Sequence, residues 1–246
     1  MYIKLFSISA LLLISAFVGA TDIKTSRLDA FVESYAENGE FNGSVLVSYQ
    51  GEVLLSKGYG YANMEWKIPN SVDTKFRIAS TTKSFTAALV LKLVEEGKID
   101  LNHSINDYLP SYRNDTGREV TIHQLLNHTS GIPNVFSQPD FKNIEANNPY
   151  GLDDFISKFC SGDLQFEPGS EFRYSNAGYS ILGKIIEQVT DLSYEQALQD
   201  YIFNPLKMRN SGDSYSGYVV LKSAQGYEKT LAGLKPAKNI DMTVTY

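Results

Sequence analysis

The stretch that decides the fold is Phe76–Ala87, FRIASTTKSFTA, which places Ser80 and Lys83 three residues apart. From Thr82 to Glu96 the pattern predicts a helix, and Gly97 is the residue type that favours the left-handed conformation after a helix end. The residues of this helix are apolar almost all the way round, which predicts a buried helix. Side chains three apart on a helix share a face, so Ser80 and Lys83 are expected to meet.

A serine and a lysine at the start of a buried helix can do nucleophilic chemistry. Burial and the positive helix end both disfavour the ammonium, so Lys83 could accept the proton of the Ser80 hydroxyl. The same helix end would stabilise the anion that forms after attack. The alternative is an N-cap serine with a solvated lysine, because Ser-x-x-Lys is short enough to arise by chance. The surrounding sequence favours the first interpretation.

Three segments carry a family resemblance in one consistent order. They are Phe76–Ala87, Thr121–Ile132 (TIHQLLNHTSGI) and Phe172–Tyr179 (FRYSNAGY). Together they resemble the serine β-lactamase and D-alanyl-D-alanine carboxypeptidase family, that is, the class C β-lactamase-related serine hydrolases. The resemblance runs from about Phe31 to the C-terminus. It implies an α+β fold of the β-lactamase/transpeptidase type, with an antiparallel sheet flanked by helices and a mostly helical region.

The resemblance also implies roles for four residues. Ser80 would be the nucleophile that becomes acylated, and Lys83 and Tyr174 would handle the protons. Asn176 would hydrogen-bond Lys83 and the substrate amide. From the residues alone, Tyr174 and Asn176 could instead be a packed tyrosine and a loop-capping asparagine. The substrate would be a β-lactam, a D-Ala-D-Ala peptide or an ester, and this chemistry needs no metal and no organic cofactor.

The Tyr-x-Asn pattern of Tyr174 occurs at two other places, Tyr61 and Tyr112. Tyr61 ends a predicted strand and Tyr112 lies in a polar turn, so both are expected to be surface or turn residues. Tyr174 precedes an amphipathic helix that begins near Asn176. It is therefore predicted to lie on a loop held by a helix N-terminus.

Other segments complete the predicted architecture. A helix is expected over Thr25–Asn38, a hairpin over Gly43–Tyr49 and Val53–Tyr61, and several short helices in the middle of the chain. Ser193 and Gln196 resemble a capping box for a further helix. Cys160 is the single cysteine and cannot form an internal disulfide, so it is expected to be a small buried hydrophobe rather than a reactive thiol.

Composition and the N-terminus suggest an exported protein. Residues 1–20 resemble a cleaved signal peptide; the alternative is an uncleaved membrane anchor, for which the apolar stretch is short. Cleavage would leave one domain over residues 21–246 and no stable membrane span. We therefore expect a periplasmic or secreted protein whose oligomeric state is open. The net charge of −6 and the lack of a basic stripe argue against nucleic acid as a partner. His123 and His128 are five apart, the wrong spacing for two metal ligands on one helical face.

One departure from the family pattern is expected to matter. The family's third motif, a Lys or His followed by a small residue and Gly, has no match, and Lys229-Thr230-Leu231 comes nearest. The sequence predicts a C-terminally truncated member that lacks the C-terminal sheet strands and has an impaired site. The alternative function is a catalytically impaired relative that binds cell-wall peptide or a partner chain through an open sheet edge.

Overall fold

The computed structural model describes residues 24–138, 141, 150–212 and 219–237. The chain divides into two compact units, Met1–Phe76 with Leu221–Ala237, and Arg77–Val220 with Lys238–Tyr246. The predicted signal peptide lies outside the described residues, and the single domain over residues 21–246 stays a prediction. Among the described residues, no helix is both long enough and apolar enough to cross a membrane.

The first unit begins with a helix and a hairpin. Helix α1 covers residues 24–37, and strands β1 (Gly43–Tyr49) and β2 (Glu52–Tyr59) pair antiparallel. Both turn residues have positive φ, 51° at Gln50 and 82° at Gly51, as a two-residue hairpin turn requires. The predicted helix and hairpin are confirmed.

Short-range polar contacts hold α1 to the hairpin. Lys57 of β2 lies 2.7 Å from Asp29 and 3.0 Å from Glu33 of the helix. The Tyr59 hydroxyl donates to the same Asp29 carboxylate at 2.8 Å. These partners lower the pKa of Asp29, the hydrogen bond from Lys57 contributing most.

Two smaller antiparallel pairs complete the strands of this unit. Strand β3 (Tyr61–Asn63) pairs with β4 (Ile68–Pro69), and β5 (Tyr227–Thr230) pairs with β6 (Gly233–Pro236). Within the described residues the strands therefore form three separate two-stranded sheets.

The second unit is mostly helical. Its helices are α2 (Thr82–Glu95), α3 (Ile105–Tyr108), α4 (Asn114–Gly117), α5 (Ile122–Leu126), α6 (Leu152–Phe159), α7 (Asn176–Thr190) and α8 (Tyr194–Leu198), with 3₁₀ turns at Ala79–Thr81 and Val135–Ser137 and a π-helix at Gln199–Phe203. One mostly helical unit, and one that combines a helix with antiparallel strands, give the predicted α+β class. The predicted run of short helices in the middle of the chain is also confirmed.

Helix α7 is the centre of this unit's core. It packs against α2, α5, α6 and α8, and its largest fully buried side chains are Ile181, Leu182, Ile185 and Ile186. The four have a relative exposure of 0% and repeat at the spacing of one helical face. This burial makes α7 a rigid support for the residues at its N-terminus.

Helix α2 is buried on one side only, which corrects the expectation of a helix buried all round. Leu89, Val90 and Leu93 face the core, whereas Leu91 is 51% exposed. Thr86 joins α2 to Tyr194 of α8 through a buried 2.6 Å hydrogen bond between their hydroxyls. The sequence pattern overestimated burial because an apolar residue on the outer face looks the same as one in the core.

Tyr112 lies in a bend, in line with the prediction of a surface or turn residue, and its side chain is only 6% exposed. Its hydroxyl donates to the Cys160 carbonyl at 2.7 Å, which satisfies the one polar group that burial would otherwise isolate. Cys160 is buried as predicted, and burial raises the pKa of its thiol. Tyr61 is 43% exposed, in line with its prediction.

Candidate active site

Ser80 lies in the one-turn 3₁₀ helix Ala79–Thr81, directly before α2, and its side chain is exposed. The residue before it, Ala79, has a φ of 46°, which a residue with a Cβ rarely adopts. Strained backbone of this kind tends to occur at functional sites. The sharp bend leaves the Ser80 hydroxyl accessible at the start of a long helix.

Tyr174 is the hydrogen-bond partner of Ser80. The Tyr174 hydroxyl donates to Ser80 Oγ at 3.0 Å, and Tyr174 is 39% exposed. The two residues are 94 positions apart in sequence. A hydroxyl nucleophile within hydrogen-bond reach of a group that can exchange a proton with it is the arrangement that covalent catalysis needs.

Lys83 and Asn176 form a second, buried pair. Lys83 Nζ donates to Asn176 Oδ1 at 2.8 Å, and the two residues are 9% and 8% exposed. Lys83 Nζ also lies 5.5 Å and 5.4 Å from the ring centres of Tyr174 and Tyr179. Its partners within the described residues are thus an amide oxygen and two aromatic faces, which stabilise a cation without a carboxylate.

The structure brings together all four residues named by the sequence. Ser80 and Lys83 come from one segment, and Tyr174 and Asn176 from the loop before α7 and its first residue. Within the described residues the Ser80 hydroxyl is hydrogen-bonded to Tyr174, and Lys83 is hydrogen-bonded to Asn176 instead of Ser80. The geometry can move a proton between Ser80 and Tyr174 with a lysine close to the phenol ring.

A backbone ladder holds the loop that carries Tyr174. The N–H groups of Gln165, Gly169 and Arg173 donate to the carbonyls of Gly131 (2.9 Å), Thr129 (2.8 Å) and His128 (2.9 Å). This ladder explains why two of the resembling segments, far apart in sequence, belong to one site.

His128 is a site residue that the sequence interpretation underestimated. In the sequence, His128 was considered only as a metal ligand, at the wrong spacing from His123. Its ring centre lies 4.4 Å from that of Tyr174 and 5.2 Å from that of Tyr179. Its Nδ1 accepts from the Ser175 N–H at 3.3 Å. Burial, followed by the charge of Lys83, lowers the pKa of His128, which favours a neutral ring in this stack.

Asn134 is a second residue that the sequence interpretation missed. Its Oδ1 accepts from the Asn176 backbone N–H at 3.2 Å and from Asn176 Nδ2 at 3.0 Å. The one signal in the sequence is its position two residues after the segment Thr121–Ile132.

Two other sequence expectations concern residues outside this group. Lys229, the nearest match to the third motif, lies in β5 of the other unit with an exposed side chain. In the part of the chain that the structure describes, no group of three or more His, Cys, Asp or Glu side chains could hold a metal ion.

Comparison with known proteins gives consistent relatives. The chain is 36% identical over 212 residues to Protein flp of Staphylococcus aureus strain MW2, covering 85% of this chain and 42% of that protein. The crystal structure of a penicillin-binding protein from Bacillus halodurans matches with a TM-score of 0.73 at 30% identity, covering 82% of this chain and 62% of that one. EstCE1, a hydrolase with promiscuous acyltransferase activity, matches with a TM-score of 0.77 at 28% identity, covering 89% and 60%.

These matches confirm the β-lactamase/transpeptidase-like fold that the three segments predicted. The chain spans less than half the length of Protein flp. The sequence also matches the Beta-lactamase family over residues 28–240. Because this range covers most of the 246 residues, the protein belongs to the Beta-lactamase family.

Proposed function

We propose that this protein is a serine hydrolase that forms an acyl-enzyme at Ser80. The observation that carries the proposal is the 3.0 Å hydrogen bond between Tyr174 and Ser80. The buried Lys83–Asn176 pair lies at the same site. Membership of the Beta-lactamase family supports a hydrolase of this general kind.

The first half of the reaction acylates Ser80. Ser80 Oγ attacks a carbonyl carbon and passes its proton to the Tyr174 oxygen, while the Tyr174 hydroxyl gives its own proton to the leaving group. Lys83 Nζ lies 5.5 Å from the Tyr174 ring centre, so a lysine faces the ring of the group that moves the proton. The Ser80 N–H, at the start of a helix, is the donor that we assign to the oxyanion.

The second half returns the free enzyme. Tyr174 accepts a proton from water as the water oxygen attacks the acyl carbon, and its hydroxyl gives its own proton to Ser80 Oγ as the ester bond breaks. Asn176 would orient the substrate through its amide group. The substrate class that we propose is a β-lactam, a D-Ala-D-Ala peptide or an ester, since each has a carbonyl with a leaving group. The relatives include a penicillin-binding protein and a hydrolase with acyltransferase activity.

Export of the protein is a further part of the proposal. The signal-like pattern of residues 1–20 supports a periplasmic or secreted location. Cell fractionation of the tagged full chain, with N-terminal sequencing of the mature product, tests it. An uncleaved protein in the cytoplasmic fraction would contradict this part alone.

Covalent labelling tests the acyl-enzyme. The full chain is incubated with a fluorescent penicillin and, separately, with a fluorophosphonate, and the labelled peptide is identified by mass spectrometry. We expect labelling at Ser80 that Ser80→Ala abolishes. Ser84→Ala, which changes an exposed serine one helical turn away, is the matched control and should keep the label.

Turnover separates an enzyme from a binder. If a label forms and p-nitrophenyl ester is consumed beyond one equivalent, the chain is a hydrolase. If the label forms but only one equivalent of p-nitrophenol is released per chain, the alternative of an impaired relative that binds without turning over is favoured. Failure of a folded sample to label with either probe would overturn the proposed acylation.

A further inference from the structure

Asn134 and Asn176 form a paired contact beside Lys83. One oxygen, Asn134 Oδ1, accepts two protons from Asn176, from the backbone N–H at 3.2 Å and from Nδ2 at 3.0 Å. Asn176 is the first residue of α7 and is 8% exposed. The contact therefore acts on both the backbone and the side chain of a residue that touches Lys83.

The contact decides which end of the Asn176 amide faces Lys83. An asparagine side chain carries an acceptor and a donor that exchange places when the amide turns over. With Nδ2 on Asn134, Oδ1 lies 2.8 Å from Lys83 Nζ. In the reversed orientation an N–H would face the Lys83 donor and an oxygen would face the Asn134 oxygen. Both contacts would then be mismatched.

Asn134 is itself held in place. Its Oδ1 also accepts from Phe136 N–H at 3.4 Å at the start of the turn Val135–Ser137. The neighbouring Pro133 carbonyl accepts from Ser175 Oγ at 3.3 Å, and Val135 is completely buried. The acceptor thus has a fixed position relative to the first turn of α7.

We propose that Asn134 is a positioning residue for acylation at Ser80. It orients the Asn176 amide so that Oδ1 receives the Lys83 hydrogen bond, and it leaves the second Nδ2 hydrogen for other partners. Asn134 touches none of the reacting atoms and acts through Asn176. This inference rests on the proposed function.

Two substitutions separate positioning from capping of the local turn. Asn134→Leu removes the acceptor at similar size. Asn134→Ser keeps a hydroxyl that can cap the Phe136 N–H but is too short to serve Asn176. Asn127→Leu is the matched control, because Asn127 Oδ1 accepts from the Thr129 N–H and hydroxyl within the same loop region, and not from Asn176.

The rate of Ser80 labelling by a fluorophosphonate is the first measurement. We expect Asn134→Leu and Asn134→Ser each to slow labelling about tenfold, the effect of one lost hydrogen bond. In an Asn176→Ala background the same changes should cost less than about twofold, because residues that act together are not additive. Equal costs in both backgrounds would overturn the proposal and leave the proposed function intact.

The amide signals of Asn176 are the second measurement, and they need no activity. In a ¹⁵N NMR spectrum the Asn176 side-chain pair is identified by its loss in Asn176→Ala. We expect both Asn134 variants to shift the two Asn176 side-chain amide signals and to speed the exchange of these hydrogens with solvent. Asn127→Leu should leave the signals unchanged. Unchanged signals in the Asn134 variants would overturn the positioning role. Shifted Asn176 signals in a chain that no probe labels would show that Asn134 orients Asn176 and would overturn the proposed function, and with it the role in acylation.

Discussion

Lys83 Nζ donates a 2.8 Å hydrogen bond to Asn176 Oδ1, which joins the first turn of α2 to the first residue of α7. Because both residues are nearly buried, the bond forms away from bulk water. Hydrogen bonds to a charged group in such a place are stronger than neutral ones at the surface. The pair therefore contributes to stability as well as to the proposed chemistry.

Stability should depend on Lys83 and Asn176 jointly. Asn176→Leu leaves the Lys83 ammonium without its amide acceptor, and we expect it to lower the free energy of unfolding by about 1–3 kcal/mol. In a Lys83→Met background, Asn176→Leu should lower the free energy of unfolding by less. The difference, which is the coupling energy, should be about 0.5–3 kcal/mol. Urea denaturation of the four chains measures this coupling. The exposed Lys92, in the same helix, gives the control Lys92→Met, for which the coupling should be near zero.

Removal of one hydroxyl should separate chemistry from folding at Tyr174. Tyr174→Phe deletes the donor to Ser80 Oγ and keeps the ring that packs on His128. We expect Ser80 labelling by a fluorophosphonate to slow by about 100- to 10,000-fold, the usual contribution of a general acid–base group. The melting temperature should change little, since the hydroxyl is on a partly exposed residue.

Tyr61→Phe is the natural comparison for Tyr174→Phe, because Tyr61 begins another Tyr-x-Asn in the chain. In Tyr61→Phe, the fluorophosphonate should label Ser80 at the wild-type rate. If Tyr174→Phe also labels at that rate, Tyr174 does not carry the proton.

The lowered pKa of His128 makes a prediction about stability and pH. The folded state holds this pKa below its unfolded value of about 6.5. Stability from the neutral ring is therefore fully present above about pH 6.5 and is lost as the pH falls through the folded pKa. Urea denaturation should show that the free energy of unfolding falls between pH 7.5 and pH 4.5. The fall should be smaller in His128→Gln than in the wild type.

The control for this series is His103→Gln, which changes an exposed histidine outside the site and should follow the wild-type curve. A His128→Gln curve that runs parallel to wild type at every pH would mean that His128 protonation does not affect folding.

Much of this fold could be predicted from local patterns. Apolar spacing predicted α7, turn residues predicted the hairpin of β1 and β2, and Gly97 marked the end of α2 with a φ of 70°. These features depend on residues close together in sequence, where propensity and periodicity apply.

The contacts of His128 and Asn134 could not be predicted in the same way. They depend on pairing between loops some 40 residues apart, such as the bond from Asn176 to Asn134, and no periodicity reports such pairing. The burial of Tyr112 could not be predicted locally either. Its neighbours in sequence are polar, and a distant acceptor, the Cys160 carbonyl, lets the hydroxyl be buried.

Gly131 should be the most sensitive glycine near the site. Its φ is 78°, and a Cβ there would lie 2.4 Å from the Phe166 carbonyl oxygen. Gly97 has a similar φ of 70° and open space around it, so Gly97→Ala measures the backbone strain alone, about 1 kcal/mol. Gly131→Ala should lose a further 1–3 kcal/mol, roughly the cost of overpacking, in urea denaturation.

Gly131→Ala should also affect the chemistry, because its carbonyl accepts from Gln165 in the ladder that holds the Tyr174 loop. We expect it to slow labelling of Ser80 at a temperature where the chain stays folded, whereas Gly97→Ala should not, since Gly97 lies at the far end of α2 from Ser80. Equal losses of stability in the two variants would show that the Phe166 carbonyl moves aside. Equal labelling rates would show that the ladder does not set the position of Tyr174.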